Sequence, residues 1–306
     1  MSRLLRFIPD EKTFVEVTCR TFQSLLLFLP GQPLNEIIIG ALARAKRRHG
    51  VRIVCFSFVS NHFHLLLEVD SALQLARFMG YFNSKLAKEV GRLTSWRQKI
   101  FGRRYQAILV SPEEATQIER FAYVLAHGAK EGLVDSPRQW PSVHAVRALL
   151  GEEELKGYWF DRTKEYAARH RREDFHRLQY ATPEVLTLDP LPCWKHLPAE
   201  ERQKRTAALV AEIEAQAAAQ RERTGIPSLG PAAILAQDPR SRPRHSKRSP
   251  APFCHAASRD WRHLLREAYA EFVAAFRRAA ERLKAGDRNA PFPVGCFPPA
   301  LPFVGG

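Results

Sequence analysis

Ser57-Phe58-Val59-Ser60-Asn61-His62-Phe63-His64-Leu65-Leu66-Leu67-Glu68 is the stretch from which both the fold and the chemistry of this chain can be read. Residues 51–59 and 62–69 are rich in β-branched and aromatic side chains, and Ser60-Asn61 between them suits a tight turn. The stretch therefore predicts a two-stranded hairpin. Side chains alternate along a strand, so Phe63, Leu65, Leu67 and Val69 face a core while His62, His64, Leu66 and Glu68 face the other way. The two imidazoles stand about 7 Å apart at Cα, close enough to share one metal ion. Two histidines so spaced are equally compatible with an exposed strand face that binds nothing.

Working outward, Phe14–Arg20 alternates and predicts a strand, and Asn35–His49 predicts a helix that starts on a capping Asn and ends in basic residues before Gly50. Ser71–Gly91 is amphipathic, with Leu73, Leu75, Phe78, Phe82 and Leu86, and Tyr105–Val110 is a short strand. Ser111-Pro112-Glu113-Glu114 then opens a helix expected to run to about Ala129, with Gly132 beyond it. The order βαββαβ predicts an α+β fold with a ferredoxin-like core, an antiparallel sheet and helices on one face. The other face is expected to stay open for a substrate.

The pattern changes near Leu150, which suggests a first domain over 1–150 and a mostly helical C-terminal extension over 151–306. The extension holds helices at Glu200–Arg223 and Asp260–Ala285 and a Pro-rich linker at about 224–258, with an extended tail from about 290 to 306. The linker carries Arg240, Arg242, Arg244, Lys247 and Arg248, a cluster that suits DNA contact or plain solvation equally well. Cys254-His255 has no ligand-type neighbour in sequence and reads as incidental.

Net charge is +15 over 306 residues, and Lys and Arg outnumber Asp and Glu in both halves. A positive excess spread over the whole chain favours a polyanionic partner, because counterion release from phosphates drives such binding. The five cysteines are widely spaced and include no CxxC pair, so neither a cysteine zinc site nor a disulfide framework is indicated. No apolar run approaches membrane-spanning length and the first residues lack an apolar leader core, so a reduced, cytoplasmic protein is expected.

Tyr123 and His127 lie four residues apart and so share one face of the predicted third helix. A tyrosine on an amphipathic helix ordinarily packs in a core. Four motifs taken together point elsewhere. SFVSNHFHLLLEV resembles the MPNHFHLLL strand of the single-tyrosine HUH transposases, particularly the REP-associated tyrosine transposases. Phe101-Gly102-Arg103-Arg104-Tyr105 is similar to their Phe-x-x-Arg-Tyr segment, the stretch from Glu119 to Val134 resembles their DYIHLNPVKAGLV helix, and Trp140-Pro141-Ser142-Val143-His144 resembles their WPWSS. The resemblance spans roughly residues 12–148.

The resemblance implies that His62 and His64 bind a divalent metal, Mg²⁺ or Mn²⁺, and that Tyr123 is the nucleophile. It implies cleavage and rejoining of single-stranded or hairpin DNA through a 5′-phosphotyrosine, and it is compatible with a homodimer. His127 stands where the family has Asn or Gln contributing to the metal, and His127-Gly128 replaces the family's Asn-Pro. Ligand type alone would suit zinc, nickel or manganese. Arg103 and Arg104 are candidates for holding the DNA backbone. Tyr105 and Tyr81 are the rival nucleophiles. Competing functions are a nucleic-acid-binding protein of the same fold with impaired catalysis, and a metal-dependent hydrolase in which water attacks.

Overall fold

The computed structural model describes residues 5–9, 11–243, 252–296 and 298–299. Strands β1 (Thr13–Arg20), β2 (Arg52–Val59), β3 (His62–Val69) and β4 (Gln106–Val110) form one sheet in the order β2-β3-β1-β4, with every neighbouring pair antiparallel. Helix α1 (Gln32–His49) links β1 to β2, and α2 (Ala72–Leu93) links β3 to β4, which is the expected ferredoxin-like order. Local chemistry sets the helix ends. The Ser71 hydroxyl accepts from the Gln74 amide at the start of α2, and Gly50 closes α1 at φ 66°, where glycine carries no steric penalty. Phe58 and Phe63 pack on Phe82 of α2 at ring distances of 6.1 and 5.7 Å, so this face of the hairpin is the aromatic core.

The opposite face is covered, contrary to the sequence expectation, and only its His62 end reaches the surface. Helix α3 (Glu114–Leu125) lies across it, with Phe121, Val124 and Leu125 buried, and Phe121 packs on Trp194 at 5.6 Å. An apolar stripe on α3 has to be buried somewhere, and the second sheet face is the surface available to it. Helix α3 also ends at Leu125, short of the expected Ala129. Gly128 adopts φ +91°, and a Cβ there would meet the Trp140 ring at 2.8 Å. The Trp140 indole is anchored in turn, donating to the Phe58 carbonyl at 2.7 Å.

The extension is more mixed than expected. After the single turn α4 (Val146–Leu149), an antiparallel pair, β5 (Leu155–Phe160) and β6 (Ala181–Leu186), flanks α5 (Arg162–His170) and packs on α1. Gly40 and Gly157 permit this contact: a Cβ on Gly40 would come 2.2 Å from the Tyr158 carbonyl oxygen, and one on Gly157 2.2 Å from that of Glu36. Helices α6 (Ala199–Thr224) and α8 (Arg259–Lys284) match expectation. The expected linker instead contains α7 (Pro231–Leu235) and β7 (Cys254–His255), and β7 joins β4 in parallel as a fifth strand of the main sheet. Cys254-His255, which belongs to no metal-type cluster among the described residues, thus has a structural place at the sheet edge. Of the basic cluster, Arg244, Lys247 and Arg248 lie outside the described residues, as do Phe297 and residues 300–306 of the tail. No helix among the described residues is long and apolar enough to cross a membrane.

Gly40→Ala is expected to destabilise the protein by at least about 2 kcal/mol, because the clash is with backbone that cannot yield. Urea unfolding followed by circular dichroism measures this, and an unchanged midpoint would contradict the close helix–strand contact.

Candidate metal centre and tyrosine

The site grows from the polar side of β3. Register places Arg20 opposite His62, Thr18 opposite His64 and Glu16 opposite Leu66, so Glu16, Thr18 and Arg20 share the histidine face. His127 lies two residues past the end of α3, over the same face. The ring of His127 lies 4.2 Å from that of His64 and 5.5 Å from that of His62. One ligand nitrogen from each of His62, His64 and His127 falls within 4.8 Å of the other two.

Whether the three imidazoles can take a metal depends on where each Nδ1 is engaged. His62 Nδ1 lies 2.6 Å from Asn61 Oδ1 and His64 Nδ1 2.8 Å from Glu16 Oε1, while His127 Nδ1 lies 3.1 Å from the Tyr123 carbonyl oxygen and 3.3 Å from Lys130 Nζ. A neutral imidazole that donates from Nδ1 presents a lone pair at Nε2, and metal-bound histidines characteristically hold their second nitrogen this way. Burial pushes all three imidazoles below their ordinary pKa, which favours the neutral, ligating form. The residues fit a divalent ion.

Tyr123 stands beside this cluster, its ring 5.7 Å from that of His64 and 5.1 Å from that of His127, and it is 37% exposed. Two cations hold the ring: Lys130 Nζ is 3.1 Å from its centroid and the Arg120 guanidinium 3.8 Å. Burial raises the phenol pKa and the Glu16 charge raises it further, against the lowering effect of Arg120. Burial likewise brings the Lys130 ammonium down to about 8. Glu16, only 2% exposed, accepts from Arg120 Nε at 2.8 Å. Burial alone would raise its pKa, but the histidines and Arg120 around it hold it below the carboxylate range.

The rival tyrosines sit elsewhere. Tyr105 is buried beneath Arg6, whose guanidinium lies 3.7 Å over the ring and donates to the phenol oxygen. Tyr81 lies on α2 with its ring 5.8 Å from that of His49, on the far side of the sheet. Arg103 and Arg104 are exposed in the loop before β4, and among the described residues neither has a carboxylate partner. That loop is tied to the strand end opposite His62, through a 3.2 Å bond from the Gly102 amide to the Arg20 carbonyl.

Glu16, Arg20, Arg120 and Lys130 were not singled out from the sequence, and His255 reads there as incidental. Two signals were present: Glu16, Thr18 and Arg20 alternate with apolar residues, and Arg120 precedes Tyr123 by three positions and so shares its helical face. No sequence signal brings His255 here.

An unfolded histidine titrates near pH 6.5, while these three titrate lower in the fold, so the unfolded chain binds more protons in the interval between. Their contribution to stability is complete above about pH 6.5 and is lost as pH falls below it. His144, pushed down to about 4 by burial, acts in the same direction. In chelator the urea midpoint should be flat from pH 7 down to 6.5 and fall between pH 6.5 and 5, less steeply in His127→Asn. A midpoint constant down to pH 5 would contradict burial of neutral histidines.

Residues 29–124 match the family described as "Transposase IS200 like". Among solved structures, a REP-associated tyrosine transposase bound to a REP hairpin is 14% identical with a TM-score of 0.39, covering 49% of this chain and 86% of its own. A protein from Deinococcus radiodurans R1 described as a transposase is also 14% identical, with a TM-score of 0.29, covering 40% of this chain and 96% of its own. No curated protein matches the chain. The family match takes in His62, His64 and Tyr123 and stops just short of His127, so what resembles the IS200-like transposases is the stretch 29–124, about a third of the chain.

Proposed function

We propose that this protein cleaves and rejoins single-stranded or hairpin DNA through a phosphotyrosine on Tyr123, with a divalent metal held by His62, His64 and His127. The observation that carries this reading is the meeting of one tyrosine with three neutral imidazoles at one open edge of an otherwise covered sheet face. A bound cation would act as Lewis acid toward the non-bridging oxygens of the scissile phosphate. The protein's own groups do the rest. Tyr123 Oη attacks phosphorus; the new O–P bond forms as the bond to the 3′-oxygen breaks, and the phenol proton is made up on the departing 3′-hydroxyl. Because the phenol is neutral at rest, attack requires nearby positive charge, and Arg120 and Lys130 at its ring supply part of it. The covalent link keeps the bond energy, so another 3′-hydroxyl can reverse the step. Arg20, Arg103 and Arg104, at the strand end beside His62, suit the DNA backbone.

Three imidazoles and no carboxylate form a borderline donor set. Such a set favours Mn²⁺ or a later transition ion over Mg²⁺, which prefers oxygen ligands. His127 lies within the cluster although it departs from the family's Asn or Gln, which supports a working site over a binding-only protein.

Removal of divalent metal should abolish cleavage of a labelled hairpin-bearing single strand, with Mn²⁺ restoring it better than Mg²⁺. His62→Ala and His64→Ala should each lose cleavage while keeping most DNA affinity, because phosphate contacts elsewhere supply the binding. Normal cutting by both variants would remove the metal assignment.

Tyr123→Phe should fold and bind DNA like the parent yet give no covalent protein–DNA band on a denaturing gel, whereas Tyr105→Phe and Tyr81→Phe should still form one. An adduct mapped by mass spectrometry to another tyrosine would overturn the mechanism, and free cleaved ends with no adduct would point to attack by water.

A further inference from the structure

Glu16 is a buried carboxylate whose two oxygens have different partners. Oε1 lies 2.8 Å from His64 Nδ1, while Oε2 lies 2.8 Å from Arg120 and 3.3 Å from His255 Nε2. Rotation of the carboxylate would disturb all three contacts, so its plane is pinned. His64 can then satisfy Glu16 only by donating from Nδ1, which in the neutral ring leaves Nε2 as the free lone pair.

His255 comes from far beyond the residues that match the family, and the backbone around it is held firmly. Leu109 pairs with Cys254 and Val110 with His255, and the Ser111 amide donates to the His255 carbonyl at 2.9 Å. The amides of Ala257 and Ser258 donate to the Glu113 carboxylate at 3.0 and 2.9 Å, at the start of the helix that carries Tyr123. The Phe253 ring packs on Tyr269 of α8 at 4.7 Å. Edge pairing alone would need only the backbone of this segment. Here the His255 side chain is also turned inward, its buried Nε2 3.3 Å from Glu16 Oε2, an ion-pair distance without hydrogen-bond alignment, onto the carboxylate behind a candidate metal ligand.

We propose that Glu16 is the positioning residue of the metal centre, holding His64 in the tautomer that offers Nε2, and that the C-terminal extension supplies His255 to lock Glu16 in that role. This rests on the metal site proposed above. It makes the extension part of the catalytic unit, since the last turn of that lock is provided by a strand that the family-like region does not contain. Outer-shell partners of this kind typically change metal affinity by about 10–100-fold.

The test uses the full chain stripped of metal and titrated with Mn²⁺, free ion being followed by electron paramagnetic resonance. The parent should bind one ion per chain and His62→Ala none. His255→Ala should bind about tenfold more weakly, His255→Gln, which keeps a donor for Glu16, should recover most of the loss, and Glu16→Gln should be the weakest of the three. In the metal-free parent, ¹⁵N spectra of labelled histidine should show the His64 proton on Nδ1, and Glu16→Gln should give mixed tautomers. Should Glu16→Gln fail to fold, the His255 pair decides alone. Parent-like Mn²⁺ affinity in His255→Ala and Glu16→Gln, with binding lost in His62→Ala, would overturn this proposal and leave the metal site standing. A parent without saturable Mn²⁺ binding would overturn both.

Discussion

A carboxylate in the middle of the first strand, Glu16, makes demands that the rest of the site answers. An ionised group at 2% exposure is tolerable only when paired, since an uncompensated buried charge costs several kcal/mol. Arg120 provides the pairing, and it does so from α3. Once Arg120 is fixed over the sheet, the helix lies across the face that the strand pattern alone leaves open. Tyr123, three residues further along the helix, is then brought to the edge of the histidine cluster. The position of the tyrosine thus follows from an ion pair as much as from apolar packing.

The same burial sets the chemistry. His62, His64 and His127 are held neutral and so are ready to ligate, while the Tyr123 phenol is driven toward its protonated form. A site so arranged is a poor nucleophile until positive charge arrives beside it. On the proposed mechanism, the phenol would be activated only when a bound metal and the substrate phosphate are both in place beside it. That coupling would keep a reactive tyrosine silent away from DNA.

The extension interleaves with the core. The β5–β6 pair rests on α1 through two glycines whose backbones nearly touch, and β7 lengthens the main sheet at its β4 edge. Glu113 at the head of α3 binds the chain just before α8, so the helix that carries Tyr123 is held at its start by residues from the far end of the sequence.

The sequence by itself determined the order of the core elements and which side chains share a face. Those properties follow from periods of 2 and 3.6 and from capping residues that act over a few positions. His62 with His64, and Tyr123 with His127, could be recognised as pairs on that basis. Only the tertiary structure decided that the two pairs meet, that α3 closes most of the sheet face, and that the helix stops before His127. The stop depends on a Trp140 ring lying where a Cβ on residue 128 would be, a contact with no local trace. Glu16 was visible as an acid in an apolar strand, yet its three partners come from β3, α3 and β7. His255 was the least legible of all, because a two-residue edge strand has too short a pattern to read, and a charge pairing across such a separation leaves no periodic signal in the chain.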